Sequence, residues 1–426
     1  MPAIITKDFR IHNARQFEES FGEAADTYYL AIGRPQAFAN DQAFNDGTDS
    51  APPTPVDDVG QIEYYAYDDF LSAKKITSSD VTLAAIRRNW TTGTVYDYYR
   101  HDYGDINSAG ATITADSGAS SLYDSLFYVV NSTFDVYKVI DNNGGAASTV
   151  EPSGNKSTSV FSTGDSYKWK YMYSLTASEQ SNFLSTDFMH ISTESTDFST
   201  TAGAIEHVKI TNAGSGGSNA TYTGVNIRGD GTGGTCTVVV ASNSVSSVTI
   251  TAAGSGYTYA SVLASDIGSV SGSDIDFIIS PPGGHASDVV TELGGFFVMT
   301  NVNLTQADGS GDFNTANDFR RIALLRNPTD STTGSTATAS TLDATKSITF
   351  SGTPGSFQAD EKITQATTGA VGIVIDFNST TKVLRYIQPQ FANQGVDSNG
   401  NLVAFASTHT VTGATSSATG TPSSHD

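Results

Sequence analysis

Apolar and polar residues along this chain alternate mostly with period two, in short runs bounded by Gly, Ser, Thr and Asn. That pattern predicts a mainly β protein with short helices on its loops. Tyr167, Trp169, Tyr171 and Tyr173 alternate with Lys168, Lys170, Met172 and Ser174, a strand with an aromatic face and a mostly polar one. Residues 126–130 and 133–140 read as two strands turned at Asn131-Ser132, the second closed by Asn142-Asn143-Gly144-Gly145. Residues 28–32 read as a strand stopped at Gly33-Arg34-Pro35, and a polar loop with Pro52, Pro53 and Pro55 follows. Helical spacing is rarer. Asn13 with Gln16 has the spacing of a capping box, with Phe17, Phe21, Ala24 and Ala25 as its apolar face. Residues 68–75 read as a second helix, acidic at its start and basic at its end, and Thr176 with Glu179 opens a third through Leu184.

The middle of the chain is duplicated. IEHVKITNAGSGG from Ile205 recurs 40 residues later as VSSVTITAAGSGY from Val245, and the register persists to 235–240 against 275–280. Each copy reads as strand, glycine turn, strand, loop, strand, and two copies bury a shared face that one alone cannot. Residues 331–341 have linker composition. Beyond them, residues 371–377 form an alternating strand, and ITQAT at Ile363 is echoed as VTGAT at Val411. The echo runs into TPSSHD with no apolar strand, so an incomplete unit with an open edge is expected there. The expected domains are a core over 1–202, an inserted Gly-rich β-repeat module over 203–281, the core continued over 282–330, and a linker with a small β module over 331–426.

Charge narrows the function classes. With 22 Lys+Arg against 44 Asp+Glu the formal net charge is -22, which repels phosphate and disfavours nucleic acid and anionic membrane surfaces as partners. No apolar run approaches a membrane span. The one cysteine, Cys236, makes no internal disulfide or zinc framework and reads as a buried inert thiol. The glycine loops at Gly214 and Gly229 lack the phosphate-loop Lys and lie inside the repeat, so they read as hairpin turns. His101, Asp102 and Asp105 form only a weak metal pattern. No catalytic, cofactor-binding or metal-ligating residue is expected. Carboxylates are abundant, however, so a polysaccharide hydrolase stays open as a further class.

One run stands apart: NWTTGTVYDYYRHDY, residues 89–103, with five aromatics. Read as an extended strand, it puts Tyr96, Tyr98 and Arg100 on one face and Val95, Asp97 and Tyr99 on the other. Aromatics on both faces suit a strand covered twice or a contact surface. The candidate interface residues are Arg88, Trp90, Tyr96, Tyr98, Tyr99 and Arg100. The run resembles a stretch of a baseplate wedge subunit of T-even-like contractile-tailed phages, especially the cyanophage branch. Six further pieces are similar in the same order: PAIITKDFRIHNARQFEESF, YYLAIGRPQAF, SLFYVVNSTFDVYKV, YKWKYMYSL, GGHASDVVTELGG and NDFRRIALLRNP. The resemblance implies a structural virion protein and not an enzyme. It also implies a β-sandwich core, a homodimer within each wedge, other wedge proteins as partners, and a place in the tail baseplate after assembly in the host cytoplasm. The alternative is a receptor- or carbohydrate-binding tail protein, since Tyr-rich β modules also suit sugar stacking.

Overall fold

A computed structural model describes residues 6–33, 51, 70–106, 110–157, 159–192, 201–303, 322–330, 334–338, 341–342, 345–388, 395–399 and 402–425. Helix α1 spans Lys7–Ser20, and the strands begin with β1 (Tyr28–Gly33), β2 (Phe70–Ile76), β3 (Val81–Ile86), β4 (Tyr128–Val130), β5 (Asp135–Asp141), β6 (Phe161–Ser162), β7 (Lys168–Ser174) and β8 (Phe188–His190). The repeat supplies β9 (Ile205–Ser215), β10 (Ala220–Asn226), β11 (Arg228–Gly229), β12 (Thr232–Ala241), β13 (Ser244–Ser255), β14 (Ala260–Ser261) and β15 (Ser271–Ile279). The chain continues with β16 (Phe297–Thr300), β17 (Ile322–Arg326), β18 (Lys346–Ser351), β19 (Lys362–Gln365), β20 (Ala370–Asn378), β21 (Val383–Ile387), β22 (Val411–Gly413) and β23 (Thr419–His425). These elements fall into two compact units, residues 1–20 with 78–301, and residues 21–77 with 302–426.

In the first unit, sheets β4-β5-β7-β6 and β16-β3-β8 share one hydrophobic cluster, the sandwich expected of the core. Asn131 sets the β4–β5 turn, its Oδ1 accepting from the backbone N–H of Thr133 at 3.0 Å and of Asp135 at 2.8 Å. In β7 the aromatic face is core, with Trp169 and Tyr167 fully enclosed, but the expected polar face is not wet. Lys170 and Met172 are buried too, Lys170 against the Glu206 carboxylate and Met172 in the hydrophobic cluster. The Thr176 capping box forms as read, opening a helix over Ala177–Phe183. The first helix is different: it starts at Lys7, so Asn13 lies inside it, and Thr6 Oγ1 accepts from Phe9 N–H at 3.2 Å instead. Its buried residues are Ile11 and Ala14, while Phe17 is 40% exposed. Arg10 lies over the Phe296 ring at 3.7 Å, and Arg15 pairs with Asp288 at 2.5 Å.

The two repeat copies close on each other crosswise. The last strand of the first copy, β12, pairs antiparallel with the first strand of the second, β13, and β15 of the second returns to β9 of the first. Their shared core includes Ile205, Val238, Val240, Val245, Ile267 and Phe277. Cys236 is fully buried there, and burial pushes its thiol up to about 11. Tyr257, which stands where the first copy has Gly217, fills this core and donates its hydroxyl to the Ile227 carbonyl at 3.0 Å. A Cβ at Gly231 would lie 2.4 Å from that ring, so the close approach requires glycine.

In the second unit, β17-β1-β2 form one antiparallel sheet. The helix expected over 68–75 is corrected: Phe70–Ile76 is a strand, and Asp68 and Asp69, like Pro52, Pro53 and Pro55, lie outside the described residues. Pairing with the mostly buried strand β1 overrides the helical charge pattern. Strands β18-β21-β20-β19-β22-β23 close a small barrel around Ile348, Phe350, Val374, Leu384, Tyr386 and Phe405. The open edge expected at the C-terminus is also corrected. Thr419–His425 is strand β23, paired to β22 and to β18. It is legible only as small residues, because Gly420 and Pro422 take the inward positions that larger apolar residues usually fill. A Cβ at Gly420 would stand 2.6 Å from the Phe350 ring.

Candidate interface site

The segment 89–103 is not a regular strand with two alternating faces. Tyr96, Asp97, Tyr98 and Tyr99 are buried one after another. Its backbone is instead tied to the sheet at separate points: Trp90 N–H donates to the Val130 carbonyl at 2.9 Å and Tyr99 N–H to the Val139 carbonyl at 2.7 Å. The buried Asp97 carboxylate anchors it further, accepting from Ser117 N–H, Ser117 Oγ and Leu126 N–H at 2.9, 2.7 and 2.7 Å. Tyr96 stands edge-on to Trp169, and its hydroxyl accepts from Thr91 N–H at 2.7 Å. Trp90, half-buried, donates Nε1–H to Ser148 Oγ at 3.1 Å. Arg88 donates to the Tyr123 carbonyl at 3.0 Å and lies 5.2 Å from the Tyr128 ring. Of the six candidates, then, Tyr96, Tyr98 and Tyr99 are in this chain's own core, and Arg88, Trp90 and Arg100 are partly accessible.

Tyr98 and Arg100 meet the root of the repeat module. Arg100 holds Asp102 through Nε at 2.6 Å and reaches across to the Asp276 carboxylate on β15. Burial works against its charge, but these two carboxylates outweigh it and hold the guanidinium pKa above its ordinary value. Burial lifts Asp276 above its ordinary value, offset in part by Arg100. Lys209 on β9 places Nζ 4.0 Å from the Tyr98 ring centroid, and His101 Nε2 lies 2.9 Å from the Thr258 carbonyl. His207 Nε2 is 3.1 Å from Asp141. Asp102 is thus committed to Arg100 and His101 to the module, and among the described residues no group of His, Cys, Asp and Glu could hold a metal ion.

Beneath Tyr99 lies a charge cluster that sequence reasoning missed. Lys138 Nζ, fully buried, is 4.1 Å from the Tyr99 ring centroid, 2.5 Å from Glu292 Oε1 and 3.6 Å from Glu206 Oε2. Lys170 Nζ reaches Glu206 Oε1 at 2.7 Å. Ala286 N–H donates to Glu292 Oε2 at 2.7 Å, and His285 donates Nε2–H to the Tyr171 carbonyl at 2.8 Å. Burial opposes the charge on Glu292, yet Lys138 and His285 hold its carboxyl down to about 2. Glu206 is lowered the same way, by Lys138 and Lys170 against burial. Burial and the Lys138 charge bring His285 below its ordinary value. A buried charge needs a partner to persist, and here the first strand of the repeat supplies one, since Glu206 is the second residue of β9. The available signal was a lysine at a covered position in each of two strands, Lys138 inside VYKVI and Lys170 inside WKYMY.

These paired charges join the repeat module to the core. The fold and the seam define a β-built protein whose ordered polar groups serve contacts within and between elements. Residues 3–150 match the family model described as bacteriophage T4 Gp8, a baseplate wedge protein. The matched third of the chain contains α1, β1–β5 and the whole 89–103 segment. It supports a structural role in the baseplate wedge of a T4-like phage. Comparison with curated proteins finds no match. No described helix is long and apolar enough to cross a membrane.

Proposed function

We propose that the chain is a structural subunit of a phage tail baseplate wedge, of the cyanophage branch, which dimerises, binds neighbouring wedge proteins and passes on the contraction trigger as mechanical load. The observation that carries this reading is the match of residues 3–150 to the Gp8 family model. The seam supports it, because stress entering the repeat module would reach the core through paired charges and not through a flexible hinge. Assembly takes place in the host cytoplasm on this reading, with neither catalysis nor a cofactor. Antibody labelling of intact tails is expected to place the chain inside the baseplate ring, and light scattering to give twice the 44.6 kDa chain mass. Labelling out along a fibre, or none at the baseplate, would overturn the wedge role; a monomeric mass would overturn only the dimer. The alternative, a receptor- or carbohydrate-binding tail protein, has one observation in its favour: Tyr259 on the module is 63% exposed. Glycan-array binding that is lost in Tyr259→Ala would favour that reading.

A further inference from the structure

Asn142 and Lys209 meet at the seam between the core and the repeat module. Asn142 is fully buried, and its amide is fixed from both ends. Its Oδ1 accepts from Lys209 Nζ at 3.0 Å and from Gly145 N–H at 3.2 Å. Its Nδ2 donates to the Tyr96 carbonyl at 3.0 Å and to the Asp116 carboxylate. Turning the amide over would set Nδ2 against two donors and Oδ1 against two acceptors, so one orientation alone satisfies the site. The Lys209 amine is further confined over the Tyr98 ring.

An amine, an amide carbon whose oxygen is held by a backbone N–H, and a carboxylate at the departing nitrogen are the groups an acyl transfer needs. We propose that Lys209 and Asn142 join in an intramolecular isopeptide bond that ties the repeat module covalently to the core. The Nζ lone pair attacks Asn142 Cγ, forming the Nζ–Cγ bond, while Gly145 N–H stabilises the charge that develops on Oδ1. The Cγ–Nδ2 bond then breaks and Nδ2 leaves as ammonia. Two protons leave Nζ, one to free its lone pair and one as the new amide forms, and both end on the departing nitrogen, with Asp116, hydrogen-bonded to Nδ2, as the relay. Starting from the lysine ammonium, the products are a secondary amide and an ammonium ion, so atoms and charge balance and nothing is oxidised or reduced. The Lys138–Glu292 pair is closer but is a different case. Its acyl partner is the Glu292 carboxylate, which offers no good leaving group.

Mass spectrometry of the full denatured chain tests this. The expected result is a protein lighter than its sequence by one ammonia, with a branched peptide joining the fragments that carry Asn142 and Lys209. Lys209→Arg, which keeps the cation over Tyr98, is expected to restore the full mass. Asp116→Ala is expected to slow bond formation during refolding by about a hundredfold. Linear peptides bearing both residues unmodified would overturn the proposal. So would an ammonia loss that survives in Lys209→Arg, because a succinimide at the neighbouring Asn143-Gly144 gives the same mass change.

Discussion

At the residue scale the seam turns on a few shared charges. Arg100→Ala leaves the half-buried Asp276 without its cation, and is expected to cost about 2 kcal/mol in urea unfolding, the range for a charge-assisted hydrogen bond. Adding Asp276→Asn should recover part of that loss; strictly additive effects would mean that the two side chains do not couple. Acid acts on the cluster below. Glu292 falls from an ordinary 4.5 to about 2 in the fold, so its contribution is complete above 4.5 and is lost as pH falls through that window. The amount is roughly 3 kcal/mol at two to three pKa units. His285, lowered from 6.5, has the same sign: the folded state binds its proton less readily, so stability starts to fall below that value. Melting temperature followed from pH 7 to pH 2 is expected to drop in the native chain and to vary less in Glu292→Gln. The aromatic run stood out in the sequence, but the burial of Tyr96, Tyr98 and Tyr99 in the chain's own core did not. Nor did the run's partner, because Arg100 and Asp276 are 176 positions apart and nothing local marks the pairing.

At the element scale, period-two alternation located β1, β4, β5, β7 and β20, the duplication located the long strands of the repeat, and turn chemistry located element ends, as at Asn131 and Thr176. It failed where tertiary pairing or small residues took over: Phe70–Ile76 is a strand despite its helical charges, and Thr419–His425 a strand without large apolar residues. The face of β7 was misread for a related reason, since a polar side chain counts as exposed in a pattern until its buried partner is known. The module's root gives an element-scale prediction. Excising residues 212–273 with a short turn keeps Glu206, Lys209, Asp276 and Ile278, and is expected to give a soluble, cooperatively unfolding protein. Excising 203–281 removes Glu206 and leaves Lys138 and Lys170 buried with one carboxylate between them. That variant is expected to lose about 3–5 kcal/mol relative to the shorter excision. Equal stability in chemical denaturation would show that the cluster contributes nothing.

At the scale of the whole molecule, the C-terminal barrel has a core of its own, with Ile348, Ile363, Val374, Leu384 and Val411 fully buried. Its closure rests on β23, so amides of Val411–Gly413 and the ladder positions of Thr419–His425 are expected to exchange slowly in the free subunit. Rapid exchange there would mean that the barrel opens along β23 in solution. The repeat module closes in another way, since each copy's outer strand is completed by the other copy. Neither forty-residue copy is therefore a unit of folding. A chain that inherited a single copy would carry two unsatisfied strand edges and would have to borrow the missing half from a second molecule, turning an internal pairing into an exchange between subunits. What is now the private closure of one polypeptide is, by the same geometry, a ready-made joint between two.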